Sequence, residues 1–314
     1  MDFSPLLREL DVLHDCTLCP RNCHVDRFSN RLGYCRTGAG FTVSSICVHR
    51  GEEPVISGLK GICNLFFAHC NLQCSFCQNH QISDNRIDPE PFDLSIDEVV
   101  RQITGILDQG IPSVGFVSPS HMIPQVKVIV KAVKNAGYNP IWVYNSNGYD
   151  KVETLRELEG MIDVYLPDLK YIDPHLAKQL SDAEDYPRMA GAALKEMLKQ
   201  QGTTLRVNDD GYAESGLLIR HLVLPGHIGN SLEVLRFIAD ELSPSVYVAL
   251  MSQYYPAHRA ITDPHLSRSL SLGEYATIVK AMEELGLERG FIQELESFNH
   301  YRPDFDKNHP FEHD

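Results

Sequence analysis

From residue 78 to the end of this 314-residue chain there is no cysteine. All nine lie between Cys16 and Cys77. A secreted scaffold spreads its bridges through a small chain, so a disulfide framework is excluded. Crowding at one end of a large chain fits metal ligation in a reducing cytoplasm, in an anaerobic or protected setting. Basic residues are scarce too: 28 Lys and Arg stand against 42 Asp and Glu, a formal charge of −14. That deficit argues against a nucleic-acid or anionic-membrane partner. There is no 18-residue apolar run and no basic-then-apolar leader, so neither a membrane span nor a secretion signal is expected. With 43% hydrophobic and 22% charged residues the chain is expected to fold as an ordinary soluble globule. Its length suits one large α/β domain with a small appendage, or two domains.

What is present begins with the thiols. Three sit in Cys70-Asn71-Leu72-Gln73-Cys74-Ser75-Phe76-Cys77, spaced to fit one tight loop. Three thiolates are one short of the four that close an ordinary [4Fe–4S] site. A cubane held this way keeps one iron free to take a substrate. The competing reading is a zinc knuckle completed by flanking His69 or His80. Four more thiols, Cys16, Cys19, Cys23 and Cys35, stand in a run with Pro20, Asn22 and Gly33, which suit tight turns. They can close a tetrahedral zinc site or a second iron–sulfur cluster, and spacing does not choose between the two. A small appendage gains stability from either metal. Cys47 and Cys63 fall outside both sets and read as buried core thiols.

Periodicity orders the rest. Leu6, Leu7, Leu10 and Leu13 recur at helical spacing and predict a short amphipathic helix over 1–15. Phe41 to Val48 reads as part of a hairpin within 40–60. Strands follow at 63–68, 112–118, 141–146, 162–169, 217–224 and 246–252. Helices are expected at 95–108, opened by a Ser95–Glu98 capping box, and at 124–136, 151–159, 175–182, 190–200 and 231–242. A tail helix at 272–285 and an extended piece at 291–294 close the chain. Six strands alternating with helices imply a parallel sheet with right-handed crossovers, too few for a full (β/α)8 barrel. The expected fold is α/β, an open (β/α)6 partial barrel over 61–260. A small N-terminal cysteine-rich metal-binding appendage covers 1–60, and a C-terminal helix and tail over 261–314 pack on the barrel.

Ligands of parallel α/β sheets bind at the carboxyl ends of the strands. There the chain places Ser118-Pro119-Ser120-His121, Asn145-Ser146-Asn147-Gly148-Tyr149, Asp168-Leu169-Lys170 and Arg220-His221. Carbonyls and hydroxyls of the first run can take an ammonium group. His121 is a candidate proton donor or substrate contact, although a lone His is more often structural. Asp168 and Lys170 share a strand face, so an ion pair at the rim competes with a binding role. Gln253-Tyr254-Tyr255-Pro256 lines the mouth or packs. Gly51-Glu52-Glu53-Pro54 reads more readily as a turn carrying solvated acids, with a packing role left open by its closeness to the cysteine loop.

The cysteine triad, with an aromatic just before its last Cys, resembles the signature of radical S-adenosylmethionine (SAM) enzymes. The resemblance implies a [4Fe–4S] cluster on Cys70, Cys74 and Cys77 whose open iron chelates the amino and carboxylate groups of SAM. The reduced cluster gives one electron to the sulfonium, and a 5′-deoxyadenosyl radical is released. Phe76 would lie against the adenine. The family's Gly-Gly-Glu-Pro motif follows the cysteine loop, whereas Gly51–Pro54 precedes it, so Ser118 and Ser120 stand in that place. The strand ends are similar to the Asp-Thr-Asn-Gly, Asp-Leu-Lys and Arg-x-x-x-x-Pro-Gly of the enzymes that activate pyruvate formate-lyase and other glycyl radical enzymes. Cys-Pro-Arg-Asn-Cys, Gly-Glu-Glu-Pro and Tyr-Leu-Pro-Asp-Leu-Lys resemble the PflX-type branch, over Cys16 to Gln293. The resemblance implies Lys170 and Arg220 at the SAM carboxylate, and Asn145 and Ser146 at its amine. It places Asp168 at the ribose–methionine side or at a monovalent cation. Asn145-Ser146 replaces the family's Asp-Thr, which weakens amine binding and puts the cation site in doubt. Implied partners are SAM, a reductant such as flavodoxin or ferredoxin, and a protein substrate carrying a glycine Cα–H. The alternatives are modification of another protein or small molecule, a non-enzymatic iron–sulfur carrier or sensor, and a zinc-dependent binding protein.

Overall fold

All six apolar stretches read as strands form strands, and they lie side by side in parallel in chain order. The computed structural model describes residues 2–29, 32–295, 302–307 and 309–311. Of the expected C-terminal region 261–314, residues 296–301, 308 and 312–314 lie outside the described residues. The strands are β1 (Phe41–His49), β2 (Ile62–Phe67), β3 (Asp93–Leu94), β4 (Ser113–Val117), β5 (Ile141–Asn145), β6 (Val164–Tyr165), β7 (Arg206–Val207), β8 (Ala213–Leu222), β9 (Tyr247–Met251) and β10 (Gly290–Ile292). Their order across the sheet is β10-β9-β8-β6-β5-β4-β2-β1-β3, with β7 paired to β8. From β2 to β10 the neighbours on this path are parallel, while β1, β3 and β7 are antiparallel additions. The fold is therefore α/β with a mixed sheet.

The helices are α1 (Pro54–Ser57), α2 (His80–Ser83), α3 (Ile96–Leu107), α4 (Ile123–Asn135), α5 (Val152–Arg156), α6 (Pro174–Ser181), α7 (Tyr186–Gln201), α8 (Ile228–Phe237) and α9 (Leu272–Glu284). In α3, Ile96, Val99, Val100 and Ile103 form a buried stripe at helical spacing. Ser95 caps this helix by accepting from the Glu98 amide at 3.2 Å. The Glu98 carboxylate turns to Arg101 and Gln102, so only half of the expected capping box forms. Among the described residues no helix is long and apolar enough to cross a membrane.

Alternation along the strands sorts the two faces of the sheet. Cys63 and Leu65 of β2, Val114 and Phe116 of β4, and Trp142 and Tyr144 of β5 point into the main core, against the helices. Ile62, Val143, Val164, Leu218 and Ala249 point the other way into a second apolar cluster. On that second face, one pleat further along, the side chains turn polar: Asn64, Asn145 and Arg220.

Three local readings need correction. The 1–15 segment is a 3-10 helix, Ser4–Asp15, in which Leu10 and Leu13 are buried and Leu7 is exposed. The hairpin expected within 40–60 is instead β1 paired with β2. The named strand β6 ends at Tyr165, where Pro167 has no amide to donate toward β8, but the backbone bonds on the β5 side run on to Asp168 N, which donates to Ser146 O at 2.8 Å. The chain stays extended beyond it, held by an isolated bridge from Asp168 to Arg220.

Candidate active site

The cysteine loop leaves the carboxyl end of β2 and is pinned by backbone partners from distant segments. Ser75 N donates to Leu180 O at 2.7 Å, Ala260 N to Ser75 O at 2.9 Å, and His69 N to Ile82 O at 2.6 Å. Asn85 closes the turn, its Oδ1 accepting from Cys70 N at 3.0 Å and its Nδ2 donating to Cys70 O at 3.0 Å.

Cys70, Cys74 and Cys77 line one cavity of about 570 Å³. Each sulfur has a polar neighbour. Asn147 Nδ2 lies 3.3 Å and Leu72 N 3.4 Å from Cys70 Sγ. Ser181 Oγ lies 3.0 Å from Cys74 Sγ, and Ser83 Oγ 3.1 Å from Cys77 Sγ. Burial, then repulsion between neighbouring sulfurs, pushes the Cys70 thiol up to about 12 and Cys77 to about 11. These thiols therefore become thiolates only when a bound cation compensates them. Three sulfurs, donors already aimed at them, and open space on one side fit a three-thiolate iron–sulfur cluster. The flanking histidines do not complete a zinc set. His69 Nε2 faces the Ile87 carbonyl at 3.2 Å, and His80 Nδ1 the Cys77 carbonyl at 3.2 Å.

Across the cavity stands an ion-pair network. Arg220 Nε donates to Asp168 Oδ1 at 3.0 Å, Nη1 to Glu52 Oε2 at 3.1 Å and Nη2 to Asn145 Oδ1 at 2.7 Å. Lys170 Nζ reaches Asp168 Oδ2 at 2.5 Å. Burial raises the Asp168 carboxyl, but Lys170 and Arg220 outweigh it and hold the group below the ordinary carboxylate range. Burial would deprotonate Lys170, yet Asp168 and Cys74 together keep its pKa above the usual value.

Glu52 overturns the reading of residues 51–54 as solvated acids. Its carboxylate accepts from Asn64 Nδ2 at 2.9 Å and Asn145 Nδ2 at 3.3 Å as well as from Arg220. Glu53 also lines the cavity, with Oε2 sealed from solvent and without a hydrogen-bond partner. Burial pushes its carboxyl up to about 7, and Arg220 pulls against that shift. Gly115 of β4 is what admits this cluster: a Cβ there would lie 2.2 Å from Asn64 Oδ1.

Of the expected site residues, Phe76, Ser118, Asn145, Asp168, Lys170 and Arg220 line the same cavity as the three thiols. Ser120 and Ser146 do not. Both are fully buried beside Asp150, which accepts from the Ser146 hydroxyl and from Tyr144 OH at 2.8 Å. His121 is 1% exposed, lines a different cavity, and is held neutral by burial, its pKa pushed down to about 3. That placement removes it as a proton donor here. Tyr254 packs under Phe76 at 6.2 Å and donates its hydroxyl to Leu266 O at 2.6 Å, while Gln253 takes a place in the lining. Sequence reasoning missed Asn147, Glu53, Ser83 and Ser181. Asn147 lay within a strand-end run that reasoning had already singled out, whereas nothing local marks the two serines. Cys16, Cys19, Cys23 and Cys35 lie apart from the main cavity and line a small one of their own.

Residues 64–206 match the model of the radical SAM superfamily. The uncharacterized protein MJ0674 of Methanocaldococcus jannaschii is 30% identical over 278 residues, covering 87% of this chain and 75% of that one. Among solved structures, Streptococcus suis SuiB bound to S-adenosylmethionine aligns with a TM-score of 0.49 at 13% identity, over 74% of this chain. SuiB bound to precursor peptide SuiA aligns with a TM-score of 0.48 at 13% identity. The chain spans about half the length of those SuiB chains, 50% and 48% respectively.

Proposed function

This chain belongs to the radical SAM superfamily, and from that premise we propose that it reductively cleaves SAM and uses the resulting radical to abstract a hydrogen atom. The observation that carries the reading is the meeting of Cys70, Cys74 and Cys77 with Asp168 and Lys170 on one cavity. When bound, a [4Fe–4S] cluster on the three thiolates would supply one electron to the SAM sulfonium, breaking its bond to the ribose 5′ carbon to give methionine and a 5′-deoxyadenosyl radical.

The residues divide the remaining work. Each Arg220 nitrogen is already engaged by Asp168, Glu52 or Asn145. Arg220 keeps one N–H on each Nη and Lys170 has one carboxylate partner for three donors, so both cations have donors left for the SAM carboxylate. Arg220 and Asp168 hold that lysine in place. Asn145 Oδ1 accepts from Arg220 and has a second lone pair for the SAM amine, beside the carbonyls near Ser118 and Glu53. Phe76 offers the adenine an apolar wall.

The sheet's shape supports the same reading. Glu52 bonds side chains from β2 and from β8, which are four strand spacings apart, about 19 Å on a flat sheet. One carboxylate bridges that span only if the sheet curls, which supports a (β/α)6 partial barrel over 61–260. Segments 1–60 and 261–314 would be its flanking parts. The strand-end likeness to activating enzymes favours a glycine Cα–H of a partner protein as hydrogen source, with flavodoxin or ferredoxin as reductant.

The test is anaerobic reconstitution, reduction with dithionite, addition of SAM, and chromatography for 5′-deoxyadenosine and methionine. Product from wild type and none from Cys74→Ala supports the reading. A formed cluster whose EPR signal SAM leaves unchanged, with no product, sinks it.

A further inference from the structure

The four N-terminal thiols form a site of their own. Cys16, Cys19, Cys23 and Cys35 line one small cavity with Arg21, Arg27 and His121. Cys16, Cys19 and Cys35 are buried. Tyr34 N donates to Cys23 Sγ at 3.3 Å, and Cys35 Sγ lies 2.9 Å from Thr37 Oγ1. Gly33 is required by the packing: a Cβ there would lie 2.8 Å from Cys23 Sγ.

Two guanidinium groups flank these sulfurs: Arg27, for which no ion pair appears among the described residues, and half-buried Arg21, whose charge also acts on the Asp182 carboxyl. Arg27 is 3% exposed. Its partners are the carbonyls of Thr37, Gly38 and His121, the Thr37 hydroxyl and the Met122 sulfur. Arg21 donates to the carbonyls of Asn71 and Asp182 and stacks on Tyr34 at 3.6 Å, while its Nη2 is buried without a partner. His121 Nδ1, in the same lining, is also buried and unpartnered. Arg27 is a buried cation without a counter-charge, which is costly. Four neutral thiols do not supply one. Four thiolates around a divalent ion carry a net charge of −2, which two arginines balance.

We propose that Cys16, Cys19, Cys23 and Cys35 bind a single tetrahedral zinc ion whose negative charge is compensated by Arg21 and Arg27. The space selects the ion. The cavity measures about 10 Å³, room for one water-sized sphere and not for a four-iron cubane. The cavity lined by Cys70, Cys74 and Cys77 is far larger. Among the described residues no group of three or more candidate ligands stands ready to hold a metal ion, so the proposal requires the four thiols to close on zinc as it binds. The centre is tied to the other cysteine loop through Asn71. Its side chain faces Cys19, accepts from Asn147 at 2.8 Å and donates to Tyr149 O at 2.8 Å, while its carbonyl takes Arg21.

The test is metal content of the anaerobically purified full chain by mass spectrometry, with zinc-edge X-ray absorption. The expected result is about one zinc per chain with four sulfur neighbours at about 2.3 Å. Cys74→Ala should lose iron and keep zinc. Cys19→Ser and Cys23→Ser should lose zinc and keep iron. If those variants do not fold, the wild-type absorption edge decides. Arg27→Gln should release zinc to a chelator about 10- to 100-fold more readily, as loss of supporting contacts does elsewhere. Zinc bound through nitrogen or oxygen, zinc that survives both cysteine substitutions, no metal beyond the first cluster, or a second complement of iron in place of zinc would each overturn the proposal. None of these readings depends on SAM cleavage, so the two ideas can fail separately.

Discussion

Replacing Glu52 by glutamine removes one negative charge and nothing else from the polar layer behind the cavity. The amide oxygen can still accept from Asn64 and Asn145, but the new NH2 then faces Arg220 Nη1, donor against donor, where the carboxylate stood 3.1 Å away. At an effective dielectric near 20 the lost Coulomb attraction at that distance is about 5 kcal/mol before solvation is counted. Removing one partner of a buried pair costs about 3–5 kcal/mol, because the other charge stays behind. Arg220 retains Asp168, so the lower end of that range applies, about 3 kcal/mol. For a chain of this size that corresponds to a fall in Tm of roughly 4–5 °C. The assay is thermal unfolding of the metal-free chain by circular dichroism, with Lys280→Gln on exposed α9 as a surface control. A Glu52→Gln change no larger than that of the control, within about 0.5 kcal/mol, would refute the placement and return Glu52 to the solvated turn that its local sequence suggests.

Further expectations follow from the same layer. Glu53 has its folded pKa raised from 4.5 to about 7. The folded state therefore binds more protons between those values, and stability falls as pH rises through that window. Glu53→Gln should accordingly gain stability relative to wild type at pH 8, on the order of 3 kcal/mol, and little at pH 4; equal effects at both would remove the assignment. Gly115→Ala should cost about 1–3 kcal/mol through the clash with Asn64, read by urea unfolding, and a neutral outcome would mean that Asn64 swings away freely. Lys170→Met should raise the dissociation constant for SAM about tenfold or more by equilibrium dialysis, as loss of a charge-assisted hydrogen bond implies, while leaving iron content intact.

Much of the parallel sheet was legible because burial on both faces leaves apolar runs that stand out between helical stripes. The strand ends were legible for a topological reason: parallel strands deliver their carboxyl ends to one side, so Asn145, Asp168, Lys170 and Arg220 had to meet. Glu52 was not legible. It enters from the loop after β1, which runs antiparallel to its neighbour, and its deciding partner, Arg220, lies 168 positions away. Local composition gave Gly51–Pro54 only the signature of a turn. Ser120 and Ser146 were misplaced for a related reason. Period-two alternation ends with the strand, and beyond it the direction of a hydroxyl is set by whichever buried acceptor lies nearby, here Asp150.

The distances along the chain between the cysteine loop and its supports have a consequence during synthesis. Every thiol has been made by Cys77, but Asn147, Lys170, Ser181 and Arg220, which surround the loop, come later, and Ala260, which pins Ser75, is made last. At ribosomal speeds of about 5–20 residues per second, the roughly 180 residues in between take about 10–40 s to appear. For that interval the nascent chain carries nine thiols with no finished wall around them. Iron delivered to the ribosome-bound chain would meet an open loop that air and stray metals reach equally well. Productive loading of the three-thiol site therefore belongs after chain release, once the later strands of the sheet are in place around it.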